Sequence, residues 1–482
     1  MVSLPTADND TLRRLAIATG LGWAVTFVVL GLGYGLQMYG DGSIFSYMAA
    51  VQDAWAFHWR NISGRVFVYV FSFVPAESAV ALTGSARAGI VVYGLLQFAA
   101  PLIGLVLTCA LDRSRGRLFF TYACVSTAVL CPFVFGFPTE MWIAHAVFWP
   151  ALALCHDERG GVARLAFVFA ALVALVLAHE GAVIFAIAIV VTLALRGMRD
   201  RLFLRAAGAF VAAMLVWAAV KAAFPPDAYF GGIVWRAALL LIDIRNLATP
   251  FFLVLFAALV AYGVVFFPLR RISPINAHVI AAVIVALALA AYWLAFDRFL
   301  HTDDRYSART ALLIGTPIFG ALAAAYALLS EDRLRLTIPQ LRPALALLAN
   351  RTAIKAATGA LALAALLNAV ETAKFVTAWS GYKAAVRALA MGTASDPALG
   401  DPRFVSSARI PPALDRLAWF STTPYLSILL APGFAPSRLV VDHQGGRYFW
   451  LSCATATANE KPDRVIPVES RRLIRIYSCL HR

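Results

Sequence analysis

The stretch Arg13–Leu36, RRLAIATGLGWAVTFVVLGLGYGL, is followed within three residues by Gly40–Arg65, GDGSIFSYMAAVQDAWAFHWRNISGR. Its apolar part, Leu15 to Leu36, exceeds the roughly 20 residues that a bilayer crossing needs and is longer than a signal-peptide core. It lacks a small-residue cleavage site, so it reads as a retained first span. Arg13 and Arg14 place the N-terminus in the cytoplasm by the positive-inside rule. Gly40–Arg65 therefore emerges on the periplasmic or luminal face, where the chain turns polar, charged and aromatic. Asp41 stands there between two glycines. Two readings are open: a short carboxylate held at the membrane surface for chemistry, or an ordinary helix start before Ser43.

Working outward, composition gives the class. The 482-residue chain is 61% hydrophobic and 14% charged, against roughly 45–50% and 25% in soluble domains. Mean hydropathy is +0.77. These values exclude an ordinary soluble enzyme and indicate an α-helical polytopic membrane protein. A net charge of +15 would point to nucleic acid in a soluble protein. Here the arginines punctuate the apolar runs, so they report topology and anionic membrane lipid, and no nucleic-acid partner is expected.

Apolar runs and arginine-rich loops predict about eleven crossings. After the first they are Ala88–Leu111, Leu118–Phe135, Met141–Cys155, Leu165–Leu177, Gly181–Leu195, Ala206–Phe224, Pro250–Leu269, His278–Phe296, Thr310–Leu329 and Ala356–Val370. Residues 1–370 form a transmembrane domain whose first outer loop, 37–87, holds an interfacial helix over Ser43–Phe57. Val66–Leu82 is apolar but interrupted by Pro75 and Glu77, and reads as a second interfacial helix or a re-entrant segment. Residues 371–482 read as a small periplasmic α/β domain: an amphipathic helix Glu371–Met391, a Pro-rich linker Asp396–Pro412, then strands near Arg438–Asp442, Arg447–Ser452, Arg464–Val468 and Leu473–Tyr477. Cys453 and Cys479 are the two cysteines of that module. In an oxidising compartment they are expected to pair, with two free thiols as the alternative.

This topology gathers ionisable residues at one membrane face: Asp41, Asp53, His58 and Arg65, then Glu140, His145, His179, Glu180 and the loop His301–Arg309. Such groups at a bilayer edge are costly unless paired or hydrated, which argues for a polar cavity. His179-Glu180 has the least structural reason to exist, since it tips two short apolar helices; His145 reads as a hydrogen-bonded packing residue. No phosphate-cradling Gly-rich loop with its Lys, zinc-type Cys spacing or nucleophile elbow is present. An activated substrate would then be lipid-borne rather than a nucleoside triphosphate.

Asp41 in the first outer loop, the stretch Trp59-Arg-Asn-Ile-Ser-Gly-Arg65 and the turn Ala178-His-Glu-Gly181 resemble motifs of the GT-C superfamily of polyprenyl-phosphate-sugar-dependent glycosyltransferases, including the bacterial O-antigen glucosyltransferase-like branch. The resemblance implies a bacterial inner-membrane enzyme with an outward C-terminus, a polyprenyl-phosphate-linked sugar donor and a lipid or glycan acceptor. Asp41 would be the general base, with His179 and Glu180 orienting it or contacting the acceptor. Arg65, Arg305 and Arg309 would hold the donor phosphate, since guanidinium forks suit its geometry. Trp59 and Glu140 would contact sugar or acceptor. Many members carry two adjacent carboxylates where this chain has Gly40-Asp41-Gly42, so a divalent metal is left open. The alternative is a multi-pass transporter or flippase for an envelope lipid or solute, whose usual marks are internal repeats and broken helices near mid-membrane. A noncatalytic envelope scaffold is a third reading.

Overall fold

The computed structural model describes residues 6–55, 65–159, 161–225, 250–271, 273–295, 302–334, 345, 350–392, 404–419, 422–434 and 440–442. Among them the chain is a helical membrane protein, with six helices long and apolar enough to cross a bilayer. The helices are α1 (Thr6–Gly33), α2 (Gly42–Ala50), α3 (Val66–Thr83), α4 (Ala86–Leu111), α5 (Leu118–Val134), α6 (Glu140–His156), α7 (Val162–Val176), α8 (Ala182–Ala194), α9 (Arg201–Ala223), α10 (Pro250–Leu269), α11 (Pro274–Ala295), α12 (Thr302–Ser330) and α13 (Arg351–Met391).

The bundle is centred on α1, α4, α5 and α6, with α12 packed along α5 and α8, and α13 along α1. Aromatic rings knit the centre together. Phe27 stacks on Phe135 at 5.1 Å and meets Trp142 edge-on at 4.9 Å, while Phe98 reaches Phe135 from α4 at 6.0 Å. Between helices that lie in lipid, such van der Waals packing replaces the hydrophobic drive available in water. His145 behaves as a packing histidine: its Nε2 lies 2.9 Å from Ser126 Oγ, and Trp149 Nε1 donates to it at 3.3 Å.

Three elements differ from the expectations. The helix predicted over Ser43–Phe57 ends at Ala50, and every residue of α2 is buried, so it does not lie on a membrane surface. It packs against α4 and a C-terminal helix, α14 (Thr423–Leu430). Val66–Leu82 is one continuous helix that includes a π-helical turn at Tyr69–Phe73 just before Pro75, and it folds back along the first half of α4. Gln97 Nε2 donates to Ser72 Oγ at 3.3 Å, and Phe73 stacks on Tyr93 at 5.2 Å. Glu77 is used inside this hairpin, since its Oε1 accepts the Ala54 N–H at 2.7 Å and its Oε2 accepts the Tyr69 hydroxyl at 3.3 Å. Lastly, the predicted span Ala356–Val370 and the amphipathic helix after it are one 41-residue helix, α13, capped by the Asn350 side chain on Thr352 N–H. At 1.5 Å per residue it is about 60 Å long, far more than a bilayer core requires.

The C-terminal half of α13 carries the C-terminal segment. Val440–Asp442 (β2) pairs parallel with Phe404–Ser406 (β1), which lies in the stretch read as a linker. Tyr382 Oη lies 3.1 Å from Thr423 Oγ1, and Tyr47 of α2 meets Tyr425 of α14 edge-on at 5.3 Å. Helix α2 is thereby clamped between the bundle and the C-terminal segment. The strands expected beyond Asp442, and the pair Cys453 and Cys479, lie outside the described residues. The four cysteines described, Cys109, Cys124, Cys131 and Cys155, are free thiols.

Candidate functional site

Asp41 is held by a backbone that tolerates only glycine on either side. Gly40 has φ +56, and a Cβ on Gly42 would lie 2.2 Å from the Gln37 carbonyl oxygen. The turn leaves Asp41 only 8% exposed. It occupies the N-cap position of α2, yet its side chain makes no capping hydrogen bond. Ser43 has its own local tie, with its Oγ within 3.0 Å of both Gly40 O and Thr422 O. Helix capping thus does not account for the carboxylate of Asp41.

Around this turn lie buried polar atoms that lack partners among the described residues: Oε1 of Gln37, Oη of Tyr93 and Oε1 of Gln97. Gln37 packs on Gly94, so the three group along one stretch of α4. Tyr93 lies within electrostatic reach of both Glu140 and Asp41. Buried donors and acceptors are nearly always satisfied in native proteins, so such a group marks a place where water or a hydroxyl-bearing ligand completes the hydrogen bonding.

A charged network adjoins it. Arg65 Nη1 donates to Glu140 Oε1 at 2.6 Å; Nε and Nη2 both donate to Glu180 Oε2, at 3.2 and 2.9 Å. Lys221, in the last turn of α9, donates to the other Glu180 oxygen at 2.9 Å. Two cations and two carboxylates thus balance in a largely buried cluster. Burial pushes the Glu180 carboxyl up, but Arg65, His179 and Lys221 together hold it well below the usual carboxylate range. His179 shapes the turn by accepting the Gly181 N–H at Nδ1, 2.9 Å away. Burial, aided by the Arg65 cation, lowers its pKa to about 4, so it is a neutral imidazole at pH 7.

The structure thus brings Asp41, Glu140 and Tyr93 together, and joins Arg65, Glu180 and His179 to them through Glu140. Arg309 lies within electrostatic reach of His179. Two expected roles change. The Arg65 fork holds two carboxylates rather than lying open for a phosphate. Arg305 is 1% exposed, packs its guanidinium 3.5 Å over the Phe375 ring and donates to the Phe135 carbonyl, so it fastens α12 to α13 and the α5–α6 turn. Trp59 lies outside the described residues, as does His58. Among the described residues no three His, Cys, Asp or Glu side chains form a metal-binding group. Sequence reasoning missed Lys221, Tyr93 and Gln97. A lone lysine closing an apolar span and a glutamine within one were the available signals.

Comparisons with protein-family models, with curated proteins and with solved structures return no match. What the fold and site define is a class: a helical membrane protein with a buried, charge-balanced polar site at one end of its bundle.

Proposed function

We propose that this chain is an integral-membrane glycosyltransferase of the GT-C kind, moving a hexosyl or pentosyl unit from a polyprenyl-phosphate donor to a lipid or glycan acceptor of the cell envelope. The observation that carries the reading is Asp41: a buried carboxylate on a glycine-bracketed turn, not used as a cap, beside buried polar atoms that sugar or acceptor hydroxyls would satisfy. In this reading the bundle crosses a bacterial inner membrane eleven times, with the N-terminus in the cytoplasm and a small α/β domain in the periplasm. The α3–α4 hairpin supports that count. Arg65, at the start of α3, reaches the turns before α6 and before α8, so α3 begins at the end of the bundle where those turns lie. Although long and apolar enough to cross, in this reading it folds back and adds no crossing.

Asp41 accepts the proton of the acceptor hydroxyl as its oxygen attacks the anomeric carbon. The bond from that carbon to the phosphate oxygen breaks, and polyprenyl phosphate leaves with the electron pair. Arg309, within electrostatic reach of His179, is the guanidinium assigned to steady the departing charge. Glu180 is held too acidic to serve as the base, and its part is to anchor Arg65. Neutral His179 supplies a hydrogen-bonding ring nitrogen to the acceptor side. Incubating the purified protein with labelled polyprenyl-phosphate sugars and envelope acceptors tests the reading. Product formation supports it, whereas solute movement in proteoliposomes without transfer would favour a transporter.

A further inference from the structure

The end of the bundle opposite the Asp41 site has a polar cavity of about 200 Å³ between the α4–α5, α6–α7 and α8–α9 loops and the C-terminal end of α12. Helix α6 joins the two ends, with Glu140 at its first residue and His156 at its last, about 24 Å apart by helical rise. Four guanidinium groups line the cavity, those of Arg113, Arg159, Arg196 and Arg333, together with the carboxylates of Asp157, Glu158 and Glu331. Arginines at loop ends are ordinary topology markers, and exposed ones such as Arg333, with a side chain 42% exposed, are satisfied by water.

Arg196 is different. It is 8% exposed, and although Nη2 pairs with Glu158, its Nε and Nη1 have no hydrogen-bond partner among the described residues. The Nε lies 3.6 Å from Asp200 Oδ1, beyond hydrogen-bond range. A second orphan lines the same cavity. His156 is also 8% exposed, and its Nε2 lies 3.0 Å from Thr192 Oγ1, whose only hydrogen goes to the Ile189 carbonyl. The Nε2 must therefore be the donor, which leaves Nδ1 of the neutral ring as a buried acceptor with no partner among the described residues. The cavity thus offers unsatisfied guanidinium donors and an unsatisfied imidazole acceptor. A hydrogen phosphate anion matches both, accepting from Arg196 through a charged oxygen and donating from its P–OH to His156.

We propose that this cavity is a binding site for a phosphate group, carried either by a membrane lipid headgroup or by a free phosphate compound. Glu158 is its internal competitor. Its carboxylate bridges Arg196 and Arg333, the latter at 2.6 Å, and so occupies guanidinium capacity that a phosphate would use.

The test is calorimetric titration of the full-length protein in neutral detergent with inorganic phosphate, and separately with short-chain phosphatidic acid, a phosphomonoester that keeps a P–OH. Arg196→Gln and the exposed Arg333→Gln should each weaken binding about tenfold, the loss of one charge-assisted contact. Glu158→Gln should tighten it severalfold, which a purely structural ion pair does not predict. Saturable binding of inorganic phosphate that follows these variants supports a site open to free phosphate compounds. Binding of the phosphatidic acid alone, with the same variant pattern, supports the lipid headgroup as the source. No saturable binding of either probe, or affinities unmoved by all three substitutions, overturns the proposal and leaves a water-filled cavity.

Discussion

Arg65 directs two of its N–H groups at one oxygen of Glu180, from 3.2 and 2.9 Å, across 115 residues of sequence. Its third contact holds Glu140 at 2.6 Å. One guanidinium thus ties the start of α3 to the starts of α6 and α8, and it can do so because both carboxylates are shielded from water. Breaking one partner of a buried pair typically costs about 3–5 kcal/mol, because the survivor stays buried and uncompensated. Arg65→Gln should therefore lower stability by about that amount in denaturant titrations of the purified protein. Adding Glu180→Gln should cost less than the sum of the single changes, since the two residues share one network. Additive losses would mean that the two do not act as a pair in membrane or detergent.

The pH dependence follows from His179. Its folded pKa of about 4 lies below the ordinary value near 6.5, so between these values the unfolded chain binds a proton that the folded chain refuses. The stability contributed by keeping the ring neutral is complete above about pH 6.5 and is lost as pH falls toward 4. Thermal unfolding followed from pH 7.5 to 5 should show this decline. His179→Gln, whose side chain does not titrate, should flatten it; an unchanged slope in the variant would assign the decline to other groups.

Much of this was legible in the sequence, and the failures have physical causes. The ends of α4, α5, α6 and α9 could be read from apolar runs bounded by arginines, because lipid admits few other solutions. Asp41, Glu140 and Glu180 stand out in the sequence since charge at a bilayer edge demands a reason. Partners were not legible. Nothing local to Arg65 tells a phosphate ligand from an anchor for two carboxylates, and its partners lie 75 and 115 residues away. The burial of α2 under α14 was hidden likewise, because an amphipathic pattern looks the same whether lipid or protein covers it. Helix α13 reads as two elements in the sequence because its composition changes at Glu371 while its backbone continues.

Topology gives the third prediction. With eleven crossings, a reporter fused after Gly392 should act in the periplasm, and a cysteine placed at exposed Arg333 should react with cytoplasmic reagents only. A cytoplasmic signal at Gly392 would add or remove a crossing, with α3 the first element to reconsider.

Arg309→Lys keeps the charge and loses the fork. If Arg309 holds the donor phosphate, the substitution should raise the donor KM about tenfold in initial-rate assays, with kcat changed far less, because a lysine contacts phosphate as a single point charge. A kcat loss at unchanged KM would place Arg309 in the chemistry instead.

The most direct test of Asp41 as the general base is the turnover of labelled polyprenyl-phosphate sugar by Asp41→Asn, measured beside donor binding by the same preparation. The substitution keeps size and hydrogen bonding while removing the basic oxygen, so a base should fail where a structural residue would survive. The expected result is a loss of about 100-fold or more in kcat with donor affinity retained. Near-normal turnover by Asp41→Asn, with the donor still bound, would contradict that role.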